Sequence, residues 1–379
     1  MSTNPELLAI GLGDFPAPPS PDRGLGIWAS PGASEVTLAL LPASGRKTPA
    51  HAPAWYSPGF FSGDSEGPWF PALEIRQLPL NVFKSLLQER ARCRPEWDWK
   101  DRSAARDGFI KSTREVLLHI EKGGLAKSVP IAFLEAPASQ PSVPELAWML
   151  LQALEFQDRA GGYLYGTWNA EGGILGVTPE LLFERDGRMV RTMALAGTRA
   201  LEKGREPETE AALLQDAKER HEHFVVIEGI TQRLAGLGQF TVGETGVRHA
   251  GALAHLHTPI ELELFAPETG TADWQSLVDR LHPTPALGAH PRREGEIWLA
   301  EQERVLPRSR FGAPFGVRLP EGEHCVVAIR NLEWSVSSGF CRVGAGAGVV
   351  RGSVPEREWS EIERKWGSVL RILGLEARP

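Results

Sequence analysis

Helical spacing of apolar residues marks the longest elements of the chain. Apolar positions recur at this spacing over 101–122, 207–238 and 292–305, which predicts a helix in each segment. A further helix is predicted from Pro355 onward, because proline suits the first helical turn and apolar residues follow at helical intervals. These helices are separated by stretches with a different pattern.

The intervening stretches are short apolar runs bounded by turn residues. They predict strands at 125–133 and 326–330 and a meander of strands over 162–198, with a hairpin turn at Asp186 and Gly187. Helices that are interspersed among such meanders, rather than alternating strictly with single strands, favour an α+β fold. We therefore expect a largely antiparallel, sandwich-like β-sheet core flanked by helices.

The chain shows no segment that is typical of a linker between independent domains. We expect residues 1–100 to form the N-terminal part of the fold, after a loose lead-in that contains Pro16, Pro18, Pro19 and Pro21. Residues 101–379 are expected to form one integrated domain.

Composition narrows the class of protein. A net charge of −7, with 42% hydrophobic and 23% charged residues, is ordinary for a soluble protein and argues against nucleic acid as a partner. Cys93, Cys325 and Cys341 are scattered, which favours neither a disulfide framework nor a zinc site. No signal sequence and no run of about 18 apolar residues appears. We therefore expect a cytoplasmic protein without a membrane partner.

The segment 344–365, GAGAGVVRGSVPEREWSEIERK, combines several chemical signals. Its alternating glycines leave the backbone nearly bare, so that N–H groups can face an anionic ligand. Glu358, Glu361 and Lys365 follow at spacing i, i+3 and i+7, on one face of the predicted helix. Carboxylates that point in the same direction can bind Mg²⁺. The alternative is that these residues form a solvent-exposed, ion-paired face of the helix.

Two other polar features are unremarkable when taken singly. Glu219 and Glu222 share a face of the helix predicted over 207–238, beside Asp216, Lys218 and His223. Such a cluster is more typical of a charged outer surface than of a metal site. Lys127 lies near the start of a predicted strand, where lysine is ordinarily exposed to solvent.

Several short motifs in a shared order connect these features. They are residues 124–127, Thr178-Pro179-Glu180, Ala196-Gly197-Thr198, 216–223, His255-Leu256, 281–288, Ile329-Arg330 and 345–365. Together they resemble the chorismate-utilising enzymes, a family that includes isochorismate synthase, salicylate synthase, aminodeoxychorismate synthase and anthranilate synthase component I. The resemblance covers roughly 101–375 and implies the fold of that family.

Within the family, the motifs are most similar to the isochorismate synthase branch. Lys127 occupies the position of a water-activating lysine, and Ala196 replaces the nucleophilic lysine of the aminodeoxychorismate branch. The segment 282–286, HPTPA, also resembles the isochorismate branch, and no leucine-leucine-glutamate-serine motif for feedback tryptophan is found. The resemblance implies Mg²⁺-dependent conversion of chorismate to isochorismate, for menaquinone or siderophore biosynthesis. We expect a monomer with no obligatory amidotransferase.

The resemblance also implies a role for each matching residue. Lys127 is the base that deprotonates water, and Glu180 is the acid that protonates the leaving hydroxyl. Glu222 and Glu361 match the Mg²⁺ ligands, with Glu219 and Glu358 as nearby or water-mediated partners. The substrate-binding positions are Gly197, Thr198, His255, Arg330, Gly346 and Lys365, of which Arg330 matches the residue that grips the enolpyruvyl carboxylate.

Some positions depart from the family pattern. Ser128 and Pro130 interrupt the strand after Lys127, Ala289 replaces a usual glycine, and 308–313 is irregular. The alternatives to isochorismate synthase are a salicylate synthase that goes on to eliminate pyruvate, an anthranilate synthase component I, and a non-catalytic chorismate-binding protein.

Overall fold

A computed structural model describes residues 15–16, 20–46, 48–49, 52–61, 68–137, 140–202, 204–265 and 273–376. The predicted lead-in lies mostly outside the described residues. The helices are α1 (Leu80–Arg90), α2 (Ser103–Glu121), α3 (Val143–Ala160), α4 (Glu206–Gln215), α5 (Ala217–Leu234), α6 (Trp274–Leu281), α7 (Arg292–Val305) and α8 (Pro355–Ile372). None of these helices is both long and apolar enough to cross a membrane.

The strands form two large antiparallel sheets and one small one. The first ten strands are β1 (Arg23–Ala29), β2 (Glu35–Pro42), β3 (Ala54–Tyr56), β4 (Trp69–Pro71), β5 (Glu74–Pro79), β6 (Lys127–Ser128), β7 (Ile131–Pro137), β8 (Tyr163–Trp168), β9 (Gly172–Thr178) and β10 (Leu181–Asp186). The others are β11 (Met189–Ala200), β12 (Gly238–Val242), β13 (Gly246–Ala250), β14 (Leu253–Leu264), β15 (Ala289–His290), β16 (Pro314–Leu319), β17 (Gly322–Val327), β18 (Asn331–Ser335), β19 (Phe340–Gly346) and β20 (Val349–Val350).

Sheet order shows how the chain is interleaved. The eight-stranded sheet runs β5-β2-β1-β8-β9-β18-β19-β7, and the nine-stranded sheet runs β12-β14-β11-β10-β17-β16-β3-β4, with β13 paired to β14. The third sheet is β15-β6-β20. Strands from the first hundred residues enter both large sheets, since β1 pairs with β8 and β3 with β16.

Successive side chains of a strand point to opposite faces of its sheet, and their packing shows that the molecule has four layers. On β1, Ile27 packs in the core under helices α1, α2, α3 and α8, whereas Trp28 faces the other large sheet. On β11, Leu195 lies between the sheets, whereas Ala194 packs in the core with Val226 of α5. The order is helix, sheet, sheet, helix, which confirms the predicted antiparallel sandwich flanked by helices.

Other predicted elements are also confirmed. Helices α2 and α7 match the segments 101–122 and 292–305 closely. The meander over 162–198 is present as β8 to β11, and its predicted hairpin joins β10 to β11, with Asp186 opposite Met189 and Gly187 at φ 58°.

Three predicted elements are broken where the site forms. The helix predicted over 207–238 is two helices, because Asp216 caps α5 and accepts hydrogen bonds from the backbone of Lys218 and Glu219. The strand predicted over 125–133 divides into β6 and β7 around Pro130, which has no N–H to donate. The strand predicted to end at Arg330 stops at Val327, and Arg330 follows in a turn with φ 55°.

A matched pair of glycine substitutions tests the packing of the eight-stranded sheet. A Cβ on Gly173 would overlap the Trp334 ring and lie 2.5 Å from the Trp168 Cβ, whereas a Cβ on Gly108 in α2 would meet nothing within 4 Å. We expect Gly173→Ala to lower the free energy of unfolding by about 2–3 kcal/mol. Gly108→Ala should raise it by about 0.5–1 kcal/mol. Urea unfolding checks both, and equal effects would contradict this packing.

Candidate active site

A small cavity is lined by most of the residues predicted to take part in catalysis, substrate binding or metal binding. It is lined by Pro179, Glu180, Leu195, Ala196, Gly197, Thr198, Glu222, His255, Ala286, Leu287, Ile329, Arg330, Gly348 and Lys365. These residues come from the nine-stranded sheet, from α5 and α8, and from the loops around them. The cavity therefore exists only after residues far apart in sequence have packed together.

A bulge in β11 shapes one wall. The pairing of β11 with β14 shifts register between Ala196 and Thr198, so that Gly197 is left out of the ladder. Gly197 has φ 71°, and a Cβ there would lie 3.2 Å from the backbone oxygen of Glu219. Glycine thus allows both the left-handed backbone and the close approach of α5. The freed amide of Thr198 donates to Glu219 Oε2 at 2.8 Å.

Lys127 is buried, in contrast to an ordinary strand lysine. The small sheet places it opposite His290 and Val350, and its exposed fraction is 0%. Its Nζ lies 2.9 Å from Glu222 Oε1, so that the two charges neutralise each other inside the protein. The sheet β15-β6-β20 therefore turns a lysine into a buried, oriented group.

Gly348 presses against this pair from the other side. A Cβ at Gly348 would overlap Glu222 Oε1 and come within 2.9 Å of Lys127 Cε. The same glycine run meets Phe311 at Gly344 and Val129 at Gly346, so each glycine makes room for a neighbouring side chain. Gly346 does not line the cavity; its carbonyl accepts a hydrogen bond from Lys365 Nζ at 2.6 Å.

Glu180 lies between β9 and β10 with 4% of its surface exposed. Burial raises the pKa of Glu180 to about 7, against the opposing effects of the nearby cations Lys127, Lys365 and Arg330. A carboxyl with this pKa carries a proton in a large fraction of molecules at neutral pH. Glu180 can therefore donate a proton into the cavity.

Arg330 and His255 form a second polar wall. Burial, together with Arg330 and Lys365, lowers the pKa of His255 to about 3, so its ring is neutral. Its Nδ1 lies 3.1 Å from Thr198 Oγ1, and its Nε2 lies 3.5 Å from Arg330 Nη2. The Nε of Arg330 is buried and has no hydrogen-bond partner among the described residues. A buried guanidinium with an unused donor is suited to binding an anion.

The four acidic residues of α5 and α8 that were predicted to lie at a metal site are buried, which excludes the solvated-face alternative for them. Glu219, Glu222, Glu358 and Glu361 are each 9% exposed or less. Burial raises the pKa of Glu358 to about 7 against the pull of Lys218, and burial with Glu222 nearby raises that of Glu219. Burial would also raise the pKa of Glu361, but Lys365 at 2.6 Å and other nearby cations outweigh this effect, so that the pKa lies below its usual value.

These carboxylates form a donor set that fits Mg²⁺. This ion takes one or two protein carboxylates and completes its octahedral shell with water and substrate oxygens. Within the described ranges, no group of three His, Cys, Asp or Glu side chains stands close enough together to hold a metal. The carboxylates are instead paired with Lys127, Lys218 and Lys365. Of these three partners, Lys218 lies in the matching motif 216–223 but is not one of the predicted site residues.

A wider cavity lies at the opposite end of β9, where Gly172 begins the strand. None of the predicted site residues lines it. Its buried carboxylate, Glu333, already accepts from Arg310 Nε at 3.0 Å and from Arg342 Nη2 at 2.9 Å. Although burial would raise the pKa of Glu333, Arg310 and Arg342 hold it below its usual value, so this carboxylate stays ionised and is no proton donor. We therefore place the candidate active site at the smaller cavity.

Comparison with known proteins agrees with the predicted family. The model of the family described as chorismate binding enzyme matches residues 75–374, and the chain belongs to this family. Isochorismate synthase MenF of Haemophilus influenzae is 30% identical over 233 residues, which is 61% of this chain and 53% of that protein. The salicylate biosynthesis isochorismate synthase of Pseudomonas aeruginosa is 32% identical over 221 residues, which is 56% of this chain and 44% of that protein.

The chain spans about half the length of the curated relatives it matches. A solved structure of MenF, the menaquinone-specific isochorismate synthase from Escherichia coli, superposes with a TM-score of 0.74 at 22% identity. That superposition covers 93% of this chain and 89% of the other. It shows that the two proteins share a fold.

The raised pKa of Glu180 predicts a pH-dependent stability. Because the folded pKa of about 7 exceeds the ordinary value of 4.5, the folded state holds a proton that the unfolded state loses, and stability falls as pH rises between these values. Glu180→Gln should remove this contribution, of order 3 kcal/mol, and flatten the pH dependence of urea unfolding in EDTA. Glu171→Gln, an exposed change, is the control. An unchanged slope in Glu180→Gln would contradict the assignment.

The contact of Gly348 with the buried ion pair predicts an energetic coupling. Gly348→Ala should lower the free energy of unfolding by about 3 kcal/mol, because the new methyl group displaces the Glu222 carboxylate from Lys127. In a Glu222→Ala background the overlapping atom is gone, so the same substitution should cost much less. Urea unfolding of the four proteins measures the coupling, and equal costs in both backgrounds would argue against it.

Proposed function

We propose that this protein is an isochorismate synthase, which converts chorismate to isochorismate by Mg²⁺-dependent addition of water and loss of the ring hydroxyl. The observation that carries the proposal is that two buried groups of opposite function lie at one cavity: Glu180 lines it, and Lys127 lies behind its wall, paired with the lining residue Glu222. Lys127 is wholly buried, and Glu180 has a pKa of about 7. Burial raises this pKa, and the positive charge of Lys127 partly opposes the increase. The reaction needs a base for water and an acid for the departing hydroxyl.

In the proposed mechanism the two groups act at different carbons of the substrate ring. Glu180, protonated near neutral pH, gives its proton to the hydroxyl that leaves. Lys127 takes the proton from the water that adds, for which it has to be the neutral amine rather than the ammonium that pairs with Glu222. Burial of both groups keeps bulk water away from the reacting atoms.

Chorismate is a dicarboxylate, and the cavity offers cationic partners for it. The Arg330 fork is assigned to the enolpyruvyl carboxylate, which suits a buried guanidinium with a free donor. Lys365 adds a second positive charge, and Gly346 acts through it by holding its ammonium. Thr198 and the neutral His255 supply polar contacts, and Gly197 lets the backbone approach the ring.

Glu222 and Glu361 are the assigned ligands of Mg²⁺, with Glu219 and Glu358 beside them. They belong to two helices, α5 and α8: Glu222 lines the active-site cavity, whereas Glu219, Glu358 and Glu361 line a neighbouring polar cavity that shares Thr198 with it. When bound, Mg²⁺ supplies positive charge that neutralises and orients the ring carboxylate. The proposed product suits a pathway toward menaquinone or a siderophore, and Lys127, which the amine-adding branches lack, supports activity without an amidotransferase.

Incubation of the purified protein with chorismate, with and without Mg²⁺, tests the proposal when every product is identified by chromatography. We expect isochorismate only with the metal, and a loss of about 10²-fold or more in kcat for Lys127→Ala and Glu180→Gln. Lys122→Ala and Glu171→Gln, which change exposed residues of the same types, are the matched controls.

Other outcomes identify the alternatives. Salicylate and pyruvate formed by this protein alone would make it a salicylate synthase. Anthranilate formed with ammonia would assign it to the amine-adding branch. Chorismate that is bound but recovered unchanged would make it a non-catalytic binding protein.

A further inference from the structure

Lys218 joins the two acidic helices of the site. It lies in the first turn of α5, and its Nζ is 3.1 Å from Glu219 Oε1 on the same helix. The same Nζ is 2.9 Å from Glu358 Oε1 on α8. Lys127 and Lys365 each pair with one carboxylate of the site, whereas Lys218 bridges two carboxylates and both helices.

The backbone beneath Lys218 is held in place. Asp216 Oδ1 accepts from the backbone N of Lys218 at 3.0 Å, and Asp216 Oδ2 accepts from Arg199 Nη2 at 2.9 Å. The side chain above this anchor is 27% exposed and opens on a polar cavity that Arg357 and Arg364 also line. A flexible four-carbon stem on a fixed backbone can move its ammonium toward solvent without unfolding the helix.

The single ammonium faces two carboxylates and offsets part of the negative charge of this acidic cluster. Without such a cation, Glu358, which is 3% exposed, would be a buried and uncompensated acid. Lys218 thus supplies the kind of charge that a divalent cation would otherwise supply.

We propose that Lys218 is an internal counter-cation that joins α5 to α8 in the metal-free protein and competes with Mg²⁺ for Glu219 and Glu358. This inference rests on the proposed Mg²⁺ site. It explains how carboxylates of two helices remain buried together before the metal binds. It also means that Mg²⁺ binds more weakly than the same carboxylates would allow if Lys218 were neutral, because the ammonium has to be displaced.

Titration of Mg²⁺ by isothermal calorimetry, without substrate, measures this competition. Lys218→Met keeps the apolar stem and removes the charge, so it should bind Mg²⁺ about tenfold more tightly than the parent protein, or better. Lys111→Met is the matched control, since the Lys111 side chain is 80% exposed and lies on α2, away from the cluster. Its Mg²⁺ affinity should equal that of the parent.

Thermal unfolding in EDTA tests the counter-cation without any metal. Lys218→Met should lower Tm by about 5 °C, because it leaves Glu358 buried without its partner. Adding Glu358→Gln to this variant should recover most of the loss, because the uncompensated charge is then gone. Mg²⁺ should raise the Tm of Lys218→Met by more than it raises that of the parent.

The results separate this inference from the proposed function. Mg²⁺ binding by the parent with no gain in Lys218→Met, or an unchanged Tm in EDTA, would overturn the counter-cation while leaving the metal site in place. Binding by neither protein would overturn both the metal site and the competition. Binding by the variant alone would be the strongest form of the expected result.

Discussion

The structure depends on neutralising acidic groups that it buries. Glu222, Glu358 and Glu361 lie inside the protein, where an unpaired carboxylate is strongly unfavourable. Lysines resolve this constraint: Lys127 pairs with Glu222, Lys365 with Glu361, and Lys218 with Glu358. The pairs Lys127–Glu222 and Lys218–Glu358 join elements far apart in the chain, so these charges are paired only when the site is assembled, whereas Lys365 and Glu361 pair within α8.

Much of the local backbone can be understood from these pairs. Asp216 lies between α4 and α5 and caps the N-terminus of α5, so that Lys218 in the first turn of α5 contacts Glu358 of α8. Pro130 ends β6 early and leaves Lys127 in a short sheet of its own. Gly348 has no side chain because the Lys127–Glu222 pair occupies that space. Each departure from regular structure therefore serves the burial of a charged group.

The outer layers keep this arrangement rigid. Two large sheets pack face to face, and helices cover both outer surfaces, so the strands that carry Thr198 and His255 are supported on both sides. Burial of the site also strengthens every charge within it, since fewer water molecules screen the interactions. The same burial raises the pKa of Glu180 and lowers that of His255, which gives neighbouring groups different protonation states at one pH.

The sequence by itself determined the class of fold, most of the long helices, the strand meander and the family, because apolar spacing, turn residues and ordered motifs are local signals. It also singled out Glu180, Glu222 and Arg330 by resemblance, and these residues line one cavity. Only the tertiary structure decided that Lys127 is buried, that Gly348 packs against its ion pair, and that Lys218 links two helices. Burial and charge pairing depend on neighbours distant in sequence, so no local pattern records them.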